Sequence, residues 1–249
     1  MKTILLIGCA LGLFRTPCLA ADSGQEKIQS QATEYVILLH GLARTSRSMA
    51  KMEQHLREKG FGVVNAGYPS REKPVEELAE TAIPKALRQC RLKNAARIHF
   101  VTHSLGGILV RYYLNHHTIN NLGRVVMLSP PNQGSELADK LGGLFLYKWL
   151  NGPAGQQLGT GRSDLPSKLG PVDFDLGVIT GDRSVNLILS RLIPGQDDGK
   201  VSVKKAPVDG QSDFMIIPAS HPFIMKNQQA MAQSVYFLKN GRFDRSANP

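Results

Sequence analysis

The run Phe100-Val101-Thr102-His103-Ser104-Leu105-Gly106-Gly107-Ile108 passes from an apolar, β-branched stretch into one of helical character, with a serine where the two meet. A strand that turns sharply into a helix at a serine presents that hydroxyl at the apex of a strained turn, the arrangement of a nucleophile elbow. The residues two before and two after must be small, because strand and helix pass close to the turn. Gly106 meets this requirement, and Thr102 stands where such turns usually carry glycine. A serine hydroxyl attacks a carbonyl carbon effectively only when a histidine takes its proton and a carboxylate orients that histidine. The elbow therefore calls for a base and an acid later in the chain.

His221 is the base that fits, because Ala219-Ser220-His221-Pro222 follows the last apolar run, whereas His116 and His117 lie too near the helix that begins at Ser104. For the acid, Asp198 is the choice: in Pro194-Gly195-Gln196-Asp197-Asp198-Gly199-Lys200-Val201 a carboxylate followed by glycine sits at a tight turn where its oxygens can face inward. Asp182 beside Arg183, and Asp197, stay open as alternatives. The oxyanion formed on attack needs two backbone N–H donors. Leu105, next after the nucleophile, supplies one. The loop Leu39-His40-Gly41-Leu42-Ala43 supplies the other at Leu42, with His40 expected to hydrogen-bond the loop backbone. The sequence has no H-E-x-x-H, paired-cysteine, EF-hand or glycine-rich phosphate-binding pattern, so no metal or cofactor is expected.

Six short apolar runs are the expected strands: 35–39, 61–65, 98–102, 124–129, 174–180 and 213–218. They alternate with stretches of helical period, so the chain reads as an α/β domain with a mostly parallel twisted sheet flanked by helices. Helices are expected over 46–59, 75–87, 104–115 and 223–238. Residues 132–173 are too long for a plain connection, and an amphipathic helix over 136–150 suits an inserted cap or lid.

Length, composition and charge frame the rest. The 249 residues are 42% hydrophobic and 20% charged, as for one globular domain without repeats or low-complexity tracts. Lys2, the apolar run Ile4 to Phe14 and Cys18-Leu19-Ala20 read as a signal peptide over 1–20, which implies export to the periplasm or medium. Leu6-Ile7-Gly8-Cys9 has the shape of a lipoprotein attachment box, but on a very short apolar stretch. Cleavage after Ala20 leaves 229 residues with Cys90 as the single cysteine, so no internal disulfide can form. Residues 21–34 are expected to be an exposed segment, 35–241 the domain and 242–249 a frayed tail. Losing Lys2 and Arg15 takes the net charge from +10 to +8. That charge is dispersed and lacks interleaved aromatics, so nucleic acid is not an expected partner. Solubility and transient attraction to an anionic membrane surface both remain open as its meaning. The sequence does not define an oligomeric state.

Taken together, His40-Gly41-Leu42, the elbow around Ser104, Ser129-Pro130-Pro131-Asn132-Gln133-Gly134-Ser135, Asp198-Gly199-Lys200-Val201 and His221 resemble the α/β-hydrolase superfamily, in its bacterial triacylglycerol lipase and esterase-like branch. The resemblance covers residues 35 to 238. It implies a Ser104–His221–Asp198 triad, an oxyanion hole at Leu42 and Leu105, a lid over 132–173, and hydrolysis of carboxylic esters with lipidic or acyl chains. An acyltransferase or thioesterase using the same triad, and a noncatalytic binding protein of the same fold, are the alternatives.

Overall fold

In the computed structural model, which describes residues 33–246, the six expected strands form one parallel sheet. They are β1 (Glu34–Leu39), β2 (Gly62–Ala66), β3 (Arg97–His103), β4 (Leu122–Leu128), β5 (Leu176–Gly181) and β6 (Asp213–Ile217). The helices, in chain order, are α1 (Ala50–Glu58), α2 (Val75–Leu92), α3 (Leu105–His116), α4 (Glu136–Leu141), α5 (Phe145–Gln156), α6 (Leu165–Lys168), α7 (Leu187–Ser190) and α8 (Gln228–Asn240). The sequence reading placed the strands within two residues of these bounds, because strands buried on both faces read as continuous apolar runs.

Alternation along each strand divides the core in two. Ile37, Leu39, Phe100, Val125, Met127 and Val178 meet the apolar stripes of α2 and α3 on one face. Val36, Leu38, Val101, Val126, Leu128 and Ile179 meet α1 and α8 on the other. The sheet order is β2-β1-β3-β4-β5-β6, so the chain reverses its direction of travel between β1 and β3. Loops leaving the carboxyl ends of those two strands diverge, and the crevice between them is where a parallel sheet of this kind binds ligands. The histidine loop Leu39-His40-Gly41-Leu42 and the serine elbow leave those two ends.

Three expectations are corrected. The helix expected over 136–150 is two helices, α4 and α5, separated by Gly142-Gly143-Leu144, because consecutive glycines favour a break. The helix expected to stop at Leu87 runs to Leu92, since Cys90 continues the buried stripe of Ile83 and Leu87 at helical spacing. The tail expected to fray from 242 is pinned through residue 246. Phe243 is buried, its N–H donates to Asp213 Oδ2 at 2.7 Å, and Arg245 forms a two-pronged pair with Asp213. Residues 247–249 lie outside the described residues, as do the expected signal peptide and residues 21–32.

A buried side chain on α3 ties together the two ends of the segment between β4 and β5. Arg111, on α3, donates from Nη1 to Asn132 O (2.7 Å) and Oδ1 (3.3 Å), and from Nη2 to Pro166 O (3.3 Å) and Gly170 O (2.6 Å). Burial pushes the guanidinium down to about 10, so it remains charged at neutral pH. It thus clamps both ends of the segment through carbonyl oxygens alone. Replacing Arg111 by methionine strands these acceptors and is expected to cost about 3 kcal/mol. Thermal unfolding should show this as a Tm roughly 6–12 °C lower. A loss below about 1 kcal/mol would mean that apolar contacts, not the guanidinium, hold the segment.

Candidate active site

Ser104 sits between the end of β3 and the start of α3 at φ 53°, ψ −119°, a conformation that a non-glycine residue holds only when its surroundings enforce it. Enforcement comes from close packing on both sides. A Cβ at Gly106 would lie 2.6 Å from the Leu39 carbonyl oxygen, so only glycine lets the first turn of α3 approach β1. Thr102 lies in register between Leu39 and Met127 and is fully buried; the strand accepts its extra bulk, with its hydroxyl left without a partner among the described residues.

His221 occupies the loop between β6 and α8. Its Nε2 lies 3.1 Å from Ser104 Oγ, and its Nδ1 lies 2.8 Å from Asp198 Oδ2. The backbone repeats the connection, since the His221 N–H donates to the Asp198 carbonyl oxygen at 2.8 Å. Asp198 is fully buried, and its second oxygen, Oδ1, accepts from the N–H groups of Lys200 (3.0 Å) and Val201 (2.9 Å). Burial opposes its ionisation, but the neighbouring His221 and these N–H donors prevail and hold it below the ordinary carboxylate value. Asp198 is thus the carboxylate on His221. Asp197 turns away to accept from Ser190 Oγ and the Gly199 N–H, and Asp182 faces Arg183.

The loop after β1 crosses the elbow at close range. A Cβ at Gly41 would lie 2.7 Å from His103 Nδ1 and 3.2 Å from Ser104 Cβ. His40 holds this loop as expected: Nδ1 donates to the Gly41 carbonyl oxygen (2.9 Å), and Nε2 accepts from the Tyr68 N–H (3.3 Å). Its ring stacks on Tyr68 at 4.1 Å, and the Tyr68 hydroxyl donates to the His40 carbonyl oxygen. The N–H of Leu42 donates to no acceptor among the described residues. That of Leu105, first residue of α3, has no acceptor within its own helix. Both donors of the expected oxyanion hole are therefore uncommitted.

One residue of this site carried no role in the sequence reading. His103 is buried beside the serine, its ring 4.9 Å from that of His221, and its Nε2 donates to the His221 carbonyl oxygen at 3.0 Å. A carbonyl acceptor fixes the proton on Nε2. Burial, and then the proximity of His221, hold His103 well below the ordinary histidine value, so it stays neutral and anchors the loop of the second histidine. Its position next to the serine was the one available signal.

Above these groups opens a cleft of about 620 Å³. Leu137, Leu141, Leu144, Leu146 and Leu150 from α4, α5 and their junction line it, as do Val185 and Leu189 at α7. Phe145 and Trp149 on α5 and Leu187 and Ile188 on α7 are exposed beside it. The arrangement can deliver an activated oxygen to a carbonyl carbon at the floor of an apolar cleft.

A parallel sheet of this order, a serine elbow after β3, and a histidine loop after the last strand define the α/β-hydrolase fold, and the chain has that fold. It shares it with solved structures of lipases and a phospholipase. The mature form of the Bacillus licheniformis lipase BlEst2 superposes with a TM-score of 0.63 at 20% identity, over 85% of this chain and 93% of that one. Phospholipase PlaB from Legionella pneumophila gives 0.59 at 23% identity, over 70% of this chain and 46% of that one. A Paleococcus ferrophilus monoacylglycerol lipase gives 0.54 at 18% identity, over 84% and 96%. No protein-family model matches the sequence, and no curated protein matches it.

Proposed function

We propose that the protein is a serine hydrolase of carboxylic esters with apolar acyl chains. The observation that carries this reading is the series of hydrogen bonds Ser104–His221–Asp198 at the floor of a leucine-lined cleft. Ser104 Oγ attacks the ester carbonyl while His221 Nε2 takes its proton, and the ionised Asp198 stabilises the imidazolium that forms. The Leu42 and Leu105 N–H groups receive the oxyanion. Collapse of the tetrahedral intermediate releases the alcohol, which takes the proton from His221. Water, deprotonated by the same nitrogen, then attacks the acyl-enzyme, and the acid leaves with the hydroxyl proton restored to Ser104.

In this reading α4 and α5 form the lid, their leucines seating the acyl chain. The names of the structural neighbours, lipases and a phospholipase, are consistent with it. Each buried methylene contributes about 0.8 kcal/mol, or about fourfold in kcat/KM. In a series of chromogenic esters, kcat/KM is therefore expected to climb from acetyl towards medium chains until the cleft is filled. A profile that is flat or falls beyond acetyl would contradict an acyl-binding cleft. Export is part of the proposal and rests on the leader-like residues 1–20. Intact mass of the purified protein, short by those twenty residues, is its test.

A further inference from the structure

We infer that Arg44 and Lys200 form a subsite for an anionic group on the alcohol half of the ester, so that the enzyme favours acyl esters of a phosphate- or carboxylate-bearing alcohol over neutral ones. This rests on the serine-hydrolase reading and narrows its substrate class. Both side chains line the same cleft as Ser104, each next to a piece of the proposed machinery. Arg44 comes two residues after Leu42 in the loop that crosses the elbow. Lys200 comes two residues after Asp198. Its backbone is fixed at both ends: the N–H donates to Asp198 Oδ1 at 3.0 Å, and the carbonyl oxygen accepts from Ser135 Oγ at 2.9 Å.

Neither cation has a carboxylate within ion-pair distance among the described residues. Asp198 is the single carboxylate lining the cleft, and it is spent on His221. A third cation, Arg71, is already engaged, donating to the Trp149 carbonyl oxygen at 3.2 Å with its guanidinium 5.6 Å from the Trp149 ring. Crowding by the cleft wall, and then the charge of Arg44, lower the affinity of the Lys200 ammonium for its proton, though Lys200 keeps exposed surface. Two cations thus face one space in which the single carboxylate, Asp198, is hydrogen-bonded to His221 and only partly offsets them. Low-dielectric walls concentrate such a field, and an anion entering the cleft relieves the repulsion. The guanidinium fork suits a phosphate or carboxylate, and the ammonium adds a point charge. An apolar acyl chain takes the leucines, which leaves the alcohol half of the ester for the cations.

The test compares octanoyl glycerol, octanoyl glycerol phosphate and octanoyl glycerate as substrates at low ionic strength. The anionic esters are expected to show kcat/KM about tenfold above the neutral one, with the margin shrinking as salt is added. Preference for both anions marks a general anion subsite; preference for one identifies its chemistry. In the Arg44→Gln/Lys200→Gln variant the margin should fall to about one, while Arg44→Lys/Lys200→Arg should keep it. A wild-type margin of one or less, or a margin that survives the double glutamine variant, overturns the subsite. If all three esters are hydrolysed alike, the hydrolase reading stands and the subsite falls. If none is hydrolysed and a fluorophosphonate leaves Ser104 unlabelled, both fall.

Discussion

Replacing Ser104 by alanine is expected to lower kcat for ester hydrolysis by roughly 10⁶-fold, with the fold intact. Without Oγ, His221 has no nucleophile to activate, and the oxyanion donors act only on direct attack by water. The residual rate should stay roughly 10³-fold above the uncatalysed one, because the Leu42 and Leu105 N–H groups remain in place. Alanine removes only the Oγ and keeps the Cβ at the same positive φ, so the backbone strain is unchanged and stability should change by no more than about 1 kcal/mol. Steady-state hydrolysis together with urea unfolding checks both parts. Activity within tenfold of the wild type would remove Ser104 from the chemistry.

Asp198→Asn should be the next most damaging change, lowering kcat about 10⁴-fold with little effect on cleft shape. The amide keeps the volume of the carboxylate but offers no charge to an imidazolium, and its NH₂ favours the wrong tautomer of His221. Stability responds with a definite sign. The folded-state value of Asp198 lies below its ordinary 3.8, so its ionised form contributes stability fully above that value and loses it as the pH falls through the folded-state value. The asparagine variant should be less stable than the wild type at neutral pH, and the difference should narrow on acidification. Urea midpoints at neutral and acid pH measure this. The same substitutions at Asp182 and Asp197 should leave kcat within about threefold, because neither carboxylate touches His221. A 10⁴-fold loss at either would reassign the acid.

How far the sequence revealed this arrangement depends on where each determinant lies. The strands were legible because both faces of the sheet are covered, so every strand is apolar at successive positions. The meeting of Ser104 with His221 was legible because an elbow needs small neighbours and the histidine expected to serve it must follow a late strand. The choice among Asp182, Asp197 and Asp198 was made on turn chemistry, yet Asp197 and Asp198 both precede the same glycine. What separates them is the path of the chain: Gly199 at φ 99° lets the turn aim Asp198 inward while Asp197 closes on Ser190. The anchoring role of His103 left no pattern, because its partner is a backbone carbonyl, which every residue has. The pinned tail was equally hidden. Phe243 and Arg245 acquire meaning only once Asp213 is known to begin the edge strand beside them. The break between α4 and α5 was in plain view at Gly142-Gly143, but the apolar periodicity on either side outweighed it.

An activated Ser104 reacts covalently with a fluorophosphonate, and intact mass measured before and after exposure reads that reaction. One adduct per chain is expected, located on Ser104 and absent from the Ser104→Ala variant. Folded wild-type protein that gains no adduct, with or without detergent, would remove Ser104 from the role of nucleophile.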